Sequence, residues 1–265
     1  MLSIEALKNK PINIEFKSTD SYKLSPTGFD YQSLETKVCT KWIQHKAKFD
    51  ITTNDNQISM EEVDQSIQEN LYFVTIQFNP KYVPANFKPH QLPALADAIA
   101  SFYNSMCKDF IDFAFGGNAK FLPLFIAYFD GDGSRHSDHV TDIQTPHYHG
   151  LFLLHPKTRV AFEAWLSGNS IDRKIDGHPY KSVSARDHFP LETVNFSKFD
   201  PDRGSLEDMV SYVTKYARND RYVKGNGDFF ELSTVFPRVP KWMYPFYKRS
   251  NIIEAGKLAS FEKNN

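Results

Sequence analysis

Three short apolar segments, rich in aromatic and β-branched residues, constrain the fold more than any other feature of the sequence. They are NLYFVTIQFNP at 70–80, FLPLFIAYF at 121–129 and HYHGLFLL at 147–154. Segments of this length and composition are typical of strands, and we expect the first to be buried on both faces. Between the first two, apolar residues recur in steps of three and four from Leu92 to Phe113, which predicts a helix that Gly116-Gly117 ends.

Further patterns predict four more elements: a helix over 157–168, strands over 194–199 and 229–236, and a helix that begins at Ser205. The helix from Ser205 is the best defined of them, because it starts with the spacing of a capping box. Because neighbouring strands follow one another like hairpins, the expected class is α+β. We expect a mainly antiparallel, five-stranded central sheet flanked by helices, in the style of a ferredoxin-like or RNA-recognition-motif core. Residues 65–250 are assigned to this domain, residues 1–60 to an N-terminal extension of unknown role, and residues 251–265 to a tail.

Composition limits the cellular setting. No apolar segment in the 265 residues reaches the roughly 18 that a membrane span needs, so we expect no membrane partner. The two cysteines fit neither a disulfide framework nor a zinc knuckle, which favours the reducing cytoplasm.

Charge is distributed unevenly along the chain. The net charge is only −1, but 215–249 holds eight basic and three acidic side chains, a local excess that can mark an anion-binding face.

His147-Tyr148-His149 is the first candidate for chemistry. Residues i and i+2 of a strand point to the same face, so the two imidazoles would project together, as two metal ligands must. A polar loop rich in aspartate precedes the pair and could supply a carboxylate. Chance alone would give such a triplet roughly 0.3 times at this histidine content, so the metal interpretation depends on the position of the pair at the start of an apolar strand and after that loop.

Tyr212 and Tyr216 form the second candidate, because they lie one turn apart on the predicted helix with Lys215 between them. A tyrosine hydroxyl is a poor nucleophile at neutral pH, since its pKa is near 10. Attack on a phosphodiester therefore needs a metal to polarise the phosphate, and a nearby lysine can assist by compensating charge. A histidine pair with a Tyr/Lys helix is a coherent set for forming a phosphotyrosine link to nucleic acid.

Three segments, in this order, resemble motifs of the HUH endonuclease superfamily. FVTIQF (73–78) is similar to its first strand motif, TPHYHGLFLL (145–154) to its His-hydrophobic-His motif, and YVTKYARND (212–220) to its nucleophile motif. Two tyrosines four residues apart, placed after the histidines, resemble the two-tyrosine initiators of rolling-circle replication in phages and plasmids. The resemblance covers about residues 70–240.

This resemblance implies an enzyme that nicks and rejoins single-stranded origin DNA or an extruded hairpin. Tyr212 would attack first, leaving a 5′-phosphotyrosyl protein and a free 3′-OH, and Tyr216 would make the second transfer, with Lys215 compensating charge. His147, His149 and an acidic residue would hold Mn²⁺ or Mg²⁺. Because the chain lacks an ATP-binding GxxxxGK[ST] motif, a host helicase would unwind the DNA and a host polymerase would extend it.

The chain departs from the family pattern at two places. Asn219 occupies the position where the family has a second lysine, and a nearby arginine could replace it. The third metal ligand in the family is a glutamate on the strand paired with the histidines; Asp130 is our choice here, with Asp132, His136, His139 and Gln144 as alternatives. DNA-binding candidates in the basic segment are Arg218, Arg221 and Lys224.

Two other functions share the expected fold: an HUH transposase of the one-tyrosine insertion-sequence class, and a DNA-binding regulator that does not cleave. The order of the motifs favours the initiator over the transposase, and the intact histidine, tyrosine and lysine positions argue against the regulator. A histidine-triad phosphohydrolase would need a third histidine where this chain has Leu151.

Overall fold

A computed structural model describes residues 31–52, 58–83, 92–130, 147–175, 178–215 and 233–237. Over these ranges the chain forms an α+β fold, in which one antiparallel sheet is flanked by helices, as predicted. None of the helices in these ranges combines the length and apolar character that a membrane crossing requires.

The described part of the chain contains five α-helices and seven strands. The helices are α1 (Tyr31–Ile51), α2 (Met60–Asn70), α3 (Leu92–Phe110), α4 (Arg159–Asn169) and α5 (Leu206–Val213). The strands are β1 (Leu71–Phe78), β2 (Leu124–Asp130), β3 (His147–Leu153), β4 (Ser170–Ile175), β5 (His178–Ser184), β6 (Leu191–Lys198) and β7 (Ser233–Phe236).

The sheet differs from the prediction in its number of strands: over the described ranges it has seven, not five, in the order β4-β5-β6-β1-β3-β2-β7. The two strands that the sequence did not reveal are β4, SIDRKI, and β5, HPYKSVS. They lie towards one edge of the sheet, where Ile171 is 58% exposed, so an apolar alternation is not required there. Asp-Gly at 176–177, between two strands whose register pairs Ile175 with His178, is the hairpin signal that could have revealed them.

Helices α3 and α4 cover one face of the sheet with aromatic rings. The Tyr103 ring of α3 stacks at 5.3 Å from Phe236 and lies 6.4 Å from Phe125. The Phe162 ring of α4 lies 5.3 Å from Phe152 and 5.5 Å from Phe196. Close aromatic packing of this kind fixes the backbone of the sheet, and the side chains on its opposite face are held in place with it.

The opposite face is covered by α1 and α5 over β2 and β3, and it is more open over β1. Strand β1 was predicted to be buried on both faces, and this was wrong: Phe73 and Thr75 are only half-buried and Gln77 is exposed. Strand β2 is the one that is buried along its whole length. The open face of β1 leaves room for polar groups beside β3.

Two helix ends bear on the prediction. Helix α3 ends at Phe110, earlier than its periodicity predicts, and Phe113 is exposed with a left-handed φ of 51°. The capping box of α5 is confirmed, because the Ser205 Oγ atom accepts a hydrogen bond from the Asp208 N–H at 3.1 Å and the Asp208 Oδ2 atom accepts one from the Ser205 N–H at 2.9 Å.

Candidate metal centre

The ladder between β2 and β3 places one carboxylate and two imidazoles on the same face of the sheet. Asp130 is paired with His147 in the antiparallel register, and His149 follows two residues later on β3. Directly paired residues in an antiparallel ladder share a face, as do residues i and i+2 of a strand. The three side chains therefore converge at the end of β2 and the beginning of β3.

The three potential ligand atoms form a compact triangle. The Asp130 Oδ2 atom lies 3.4 Å from the His147 Nε2 atom and 3.2 Å from the His149 Nε2 atom. The two Nε2 atoms are 3.1 Å apart. Ligand atoms that bind one divalent cation at about 2.1 Å, with angles between about 90° and 109°, lie roughly 3.0–3.4 Å from each other. The spacing of the triangle therefore suits a single ion.

Burial and mutual contact shift the pKa values of Asp130 and His149 in this triangle. Burial by itself would raise the pKa of the Asp130 carboxyl, but the neighbouring His147 and His149 imidazoles outweigh it and hold that pKa well below its usual range. Burial lowers the pKa of His149 to about 4, although Asp130 opposes this shift. At neutral pH the group is thus an ionised carboxylate beside a neutral His149 imidazole, which are the protonation states that a metal requires.

The Asp130 carboxylate is fully enclosed, because both of its oxygen atoms are inaccessible to solvent. A buried carboxylate is costly unless a cation neutralises it, and among the described residues the Lys215 ammonium, 2.6 Å from the Asp130 Oδ2 atom, is one such cation. Asp130, His147 and His149 could hold a metal ion.

Thr75 fixes the orientation of the inner imidazole. Thr75 is paired with His149 in the ladder between β1 and β3, and its Oγ1 atom lies 3.2 Å from the His149 Nδ1 atom. With Nδ1 engaged by the hydroxyl, Nε2 is the nitrogen directed at Asp130. A hydrogen bond of this kind orients a metal-binding histidine and sets its tautomer.

Tyr212 reaches the triangle from α5, across the open face of β1. Its hydroxyl lies 3.4 Å from the His149 Nε2 atom, a long hydrogen bond, and the two rings are 4.9 Å apart. The Phe73 ring lies 5.7 Å from the Tyr212 ring, edge to face, and 5.3 Å from the His149 ring. These aromatic contacts hold the hydroxyl of Tyr212 next to the candidate ligands.

Lys215 follows the end of α5 and turns back to the same carboxylate. Its Nζ atom lies 2.6 Å from the Asp130 Oδ2 atom and 4.4 Å from the centre of the Tyr212 ring. The Lys215 side chain is only 8% exposed. One oxygen of Asp130 therefore faces three nitrogen atoms: the two imidazole Nε2 atoms and the ammonium of Lys215.

The structure brings five of the predicted site residues together: Asp130, His147, His149, Tyr212 and Lys215. The remaining predictions lie outside the described residues: the second tyrosine Tyr216, the DNA-binding candidates Arg218, Arg221 and Lys224, and the alternative ligands Asp132, His136, His139 and Gln144. Thr75 and Phe73 were not predicted as site residues. The sequence does place both residues on one face of β1, because they are two positions apart. It does not show that β1 is the strand beside β3, and that pairing is what brings them to the histidines.

Comparison of the chain with protein-family models, curated proteins and solved structures found no significant match. The fold and the site define the class: an α+β protein with a buried two-histidine, one-carboxylate group that could hold a metal, faced by a tyrosine and a lysine.

Proposed function

We propose that this protein is a metal-dependent DNA endonuclease and strand transferase of the HUH type, which initiates rolling-circle replication. The observation that carries the proposal is the position of the Tyr212 hydroxyl, 3.4 Å from the Nε2 atom of His149. A tyrosine in that position is next to any phosphate bound by a metal on His149. The motif order described above supports the replication class.

The nucleophile and its surroundings suit covalent catalysis. A divalent ion held by Asp130, His147 and His149 would polarise the scissile phosphate and stabilise its developing charge. The Tyr212 oxygen forms a bond to phosphorus while the bond from phosphorus to the 3′ oxygen breaks. The tyrosine proton passes to solvent and the 3′ oxygen takes one up, leaving a 5′-phosphotyrosyl protein and a free 3′-OH. The Lys215 ammonium supplies positive charge within 4.4 Å of the Tyr212 ring.

The other parts of the proposed reaction follow from the resemblance. Tyr216 makes the second transfer, which releases the enzyme and joins the DNA ends. Arg218, Arg221 and Lys224 bind the phosphate backbone of single-stranded DNA or of an origin hairpin, as expected of a basic segment. A host helicase and polymerase complete replication.

The test is covalent trapping. The full chain is incubated with Mn²⁺ and a library of labelled, randomised single-stranded oligonucleotides, and denaturing gels detect DNA that stays attached to protein. Peptide mass spectrometry after nuclease digestion then identifies the modified residue. We expect a nucleotide adduct on Tyr212 in the wild type and none at that position in Tyr212→Phe.

Tyr82→Phe is the matched control, because Tyr82 is 55% exposed and its contact is with Phe189, outside the site. This variant should form the adduct at the wild-type rate. A wild-type protein that binds the oligonucleotides but never becomes linked to them would contradict the nuclease and favour a regulator that only binds DNA.

A further inference from the structure

One buried side of helix α1 faces the candidate site. Thr36 and Cys39 are three residues apart on α1, so they lie on this side together, and both are buried. Ile43 and Ala47 lie on the same side and belong to the hydrophobic core. Thr36 and Cys39 each contact a residue that neighbours the candidate site.

Thr36 contacts the end of the nucleophile helix. Its Oγ1 atom lies 2.9 Å from the Oγ1 atom of Thr214, which is fully buried. Thr214 donates its hydroxyl hydrogen to the Val210 carbonyl at 3.0 Å. A hydroxyl has one hydrogen, so Thr36 is the donor in the contact between the two threonines.

Thr214 is the residue at which the chain leaves α5. It caps the helix with φ −88° and ψ 4°, between Tyr212 on the last turn and Lys215, which turns towards Asp130. A hydrogen bond to Thr214 therefore restrains the turn that sets both side chains. Removing the Thr36 hydroxyl would take away the donor that α1 supplies to this turn. Since the contact is buried, no water replaces that donor, and the Thr214 hydroxyl oxygen loses a hydrogen bond.

Cys39 contacts the metal-binding half of the site. Its Sγ atom lies 3.2 Å from the hydroxyl oxygen of Tyr128, and Tyr128 is paired with His149 in the ladder between β2 and β3. One side of α1 thus contacts both the turn after Tyr212 and the strand pair that carries the candidate ligands.

We propose that Thr36 is a positioning residue of the site: its hydrogen bond to Thr214 holds the Tyr212–Lys215 turn against Asp130 and His149. Helix α1 is then a functional part of the nuclease and not an appendage to it. The effect on catalysis rests on the proposed function, whereas the effect on the position of Lys215 does not.

The test compares Thr36→Val, which keeps the shape and removes the hydroxyl, with Thr36→Ser, which keeps the hydroxyl. Thr40→Val is the matched control, because the Thr40 Oγ1 atom on the same helix is buried without a hydrogen-bond partner among the described residues. Two readouts are measured on the full chain: acetylation of Lys215 by mass spectrometry, with Lys198 as the exposed internal reference, and the rate of adduct formation at saturating DNA.

Thr36→Val should raise the acetylation rate of Lys215 by about 5-fold. It should lower the maximal rate of adduct formation by about 10-fold or more with little change in the DNA concentration at half-maximal rate, because misplacement of a nucleophile acts on the chemical step. Thr36→Ser and Thr40→Val should match the wild type. Thr214→Val should reproduce the effect of Thr36→Val, and the double variant should add nothing to either one.

If Thr36→Val and Thr40→Val give the same Lys215 acetylation and the same adduct rate, the positioning role is overturned. If the wild type forms no adduct, the nuclease proposal fails, while the acetylation comparison still decides whether Thr36 positions the turn. Should Thr36→Val fail to fold, Thr214→Val removes the same hydrogen bond from the other side and decides between the same outcomes.

Discussion

The Lys215 ammonium and the two candidate histidine ligands face the same oxygen of Asp130. The Lys215 Nζ atom lies 2.6 Å from the Asp130 Oδ2 atom, and the His149 Nε2 atom lies 3.2 Å from it. A divalent cation bound by Asp130 through this oxygen would therefore be close to a second positive charge. This arrangement links metal affinity to a residue that is not a ligand.

The first prediction concerns that link. Lys215→Met keeps the aliphatic packing and removes the ammonium, so repulsion of a bound cation falls. We expect the affinity for Mn²⁺ to rise by about 10-fold, or ~1.4 kcal/mol, while the rate of adduct formation decreases. Titration calorimetry and Mn²⁺ electron paramagnetic resonance measure the affinity. Lys198→Met is the control, and an unchanged or weaker affinity in Lys215→Met would show that the ammonium does not compete.

The second prediction concerns the metal itself. Chelation with EDTA should abolish adduct formation, and added Mn²⁺ should restore it. His147→Ala should lower the adduct rate by about 100-fold or more, because one ligand is lost, but it should keep the fold, since His147 is only half-buried. His188→Ala, which alters a contact with Ser101 outside the site, is the control. Cleavage at the wild-type rate in EDTA would exclude a metal-dependent reaction.

The third prediction concerns the hydroxyl behind His149. Thr75→Val removes the group that engages the His149 Nδ1 atom at 3.2 Å. We expect the Mn²⁺ affinity to fall by about 10- to 100-fold, because the imidazole loses the contact that orients it. Thr193→Val is the control, since Thr193 donates to Gln77 on the same face and does not contact the histidine. Equal affinities in both variants would show that Thr75 does not act on His149.

The fourth prediction concerns the two tyrosines. Asn219 occupies the position where the HUH initiators that the sequence resembles have a lysine, so under the proposed function we expect weaker charge compensation at Tyr216 than at Tyr212. Tyr216→Phe should still form the first adduct but release fewer joined products, whereas Tyr212→Phe should form none. Protein-linked label and joined DNA are counted separately for each variant. An equal adduct yield from Tyr212→Phe and wild type would reverse the assignment of the nucleophile.

The fifth prediction concerns a buried group at the other end of α1, where the His155 Nε2 atom lies 4.0 Å from the Asp50 Oδ1 atom. Burial, followed by the positive charges of Lys46, Lys157 and Lys120, lowers the pKa of His155 from 6.5 to about 4. Between these values the unfolded chain binds more protons than the folded chain. The stabilisation is therefore complete above about pH 6.5 and is lost as the pH falls towards 4.

His155→Asn should remove this dependence while keeping an acceptor near the Lys157 N–H, which now donates to the His155 Nδ1 atom. From pH 7 to pH 4.5 we expect the wild type to lose about 1–3 kcal/mol more unfolding free energy than the variant. Urea denaturation at each pH measures it. Burial raises the pKa of Asp50 to about 6, which acts in the opposite direction, but this contribution is common to both proteins. Parallel curves would show that His155 titrates normally.

Local periodicity in the sequence determined much of the fold and of the candidate site. A period of two places His147 and His149 on one face of a strand, and the capping-box spacing from Ser205 begins the helix that carries Tyr212. Both patterns act over a few residues, because strand alternation and helix capping are properties of the local backbone. The same reasoning failed for β4 and β5, which lie towards one edge of the sheet and show no apolar alternation in their sequences.

Only the tertiary structure decided which distant residues complete the site. Asp130 joins the histidines because the register of β2 on β3 pairs it with His147, and Thr75 contacts His149 because β1 is the other neighbour of β3. Thr36 contacts Thr214 across 178 residues of chain. Strand register and helix docking are set by the collective burial of apolar surface, which no short segment encodes, so these contacts could not be found from spacing alone.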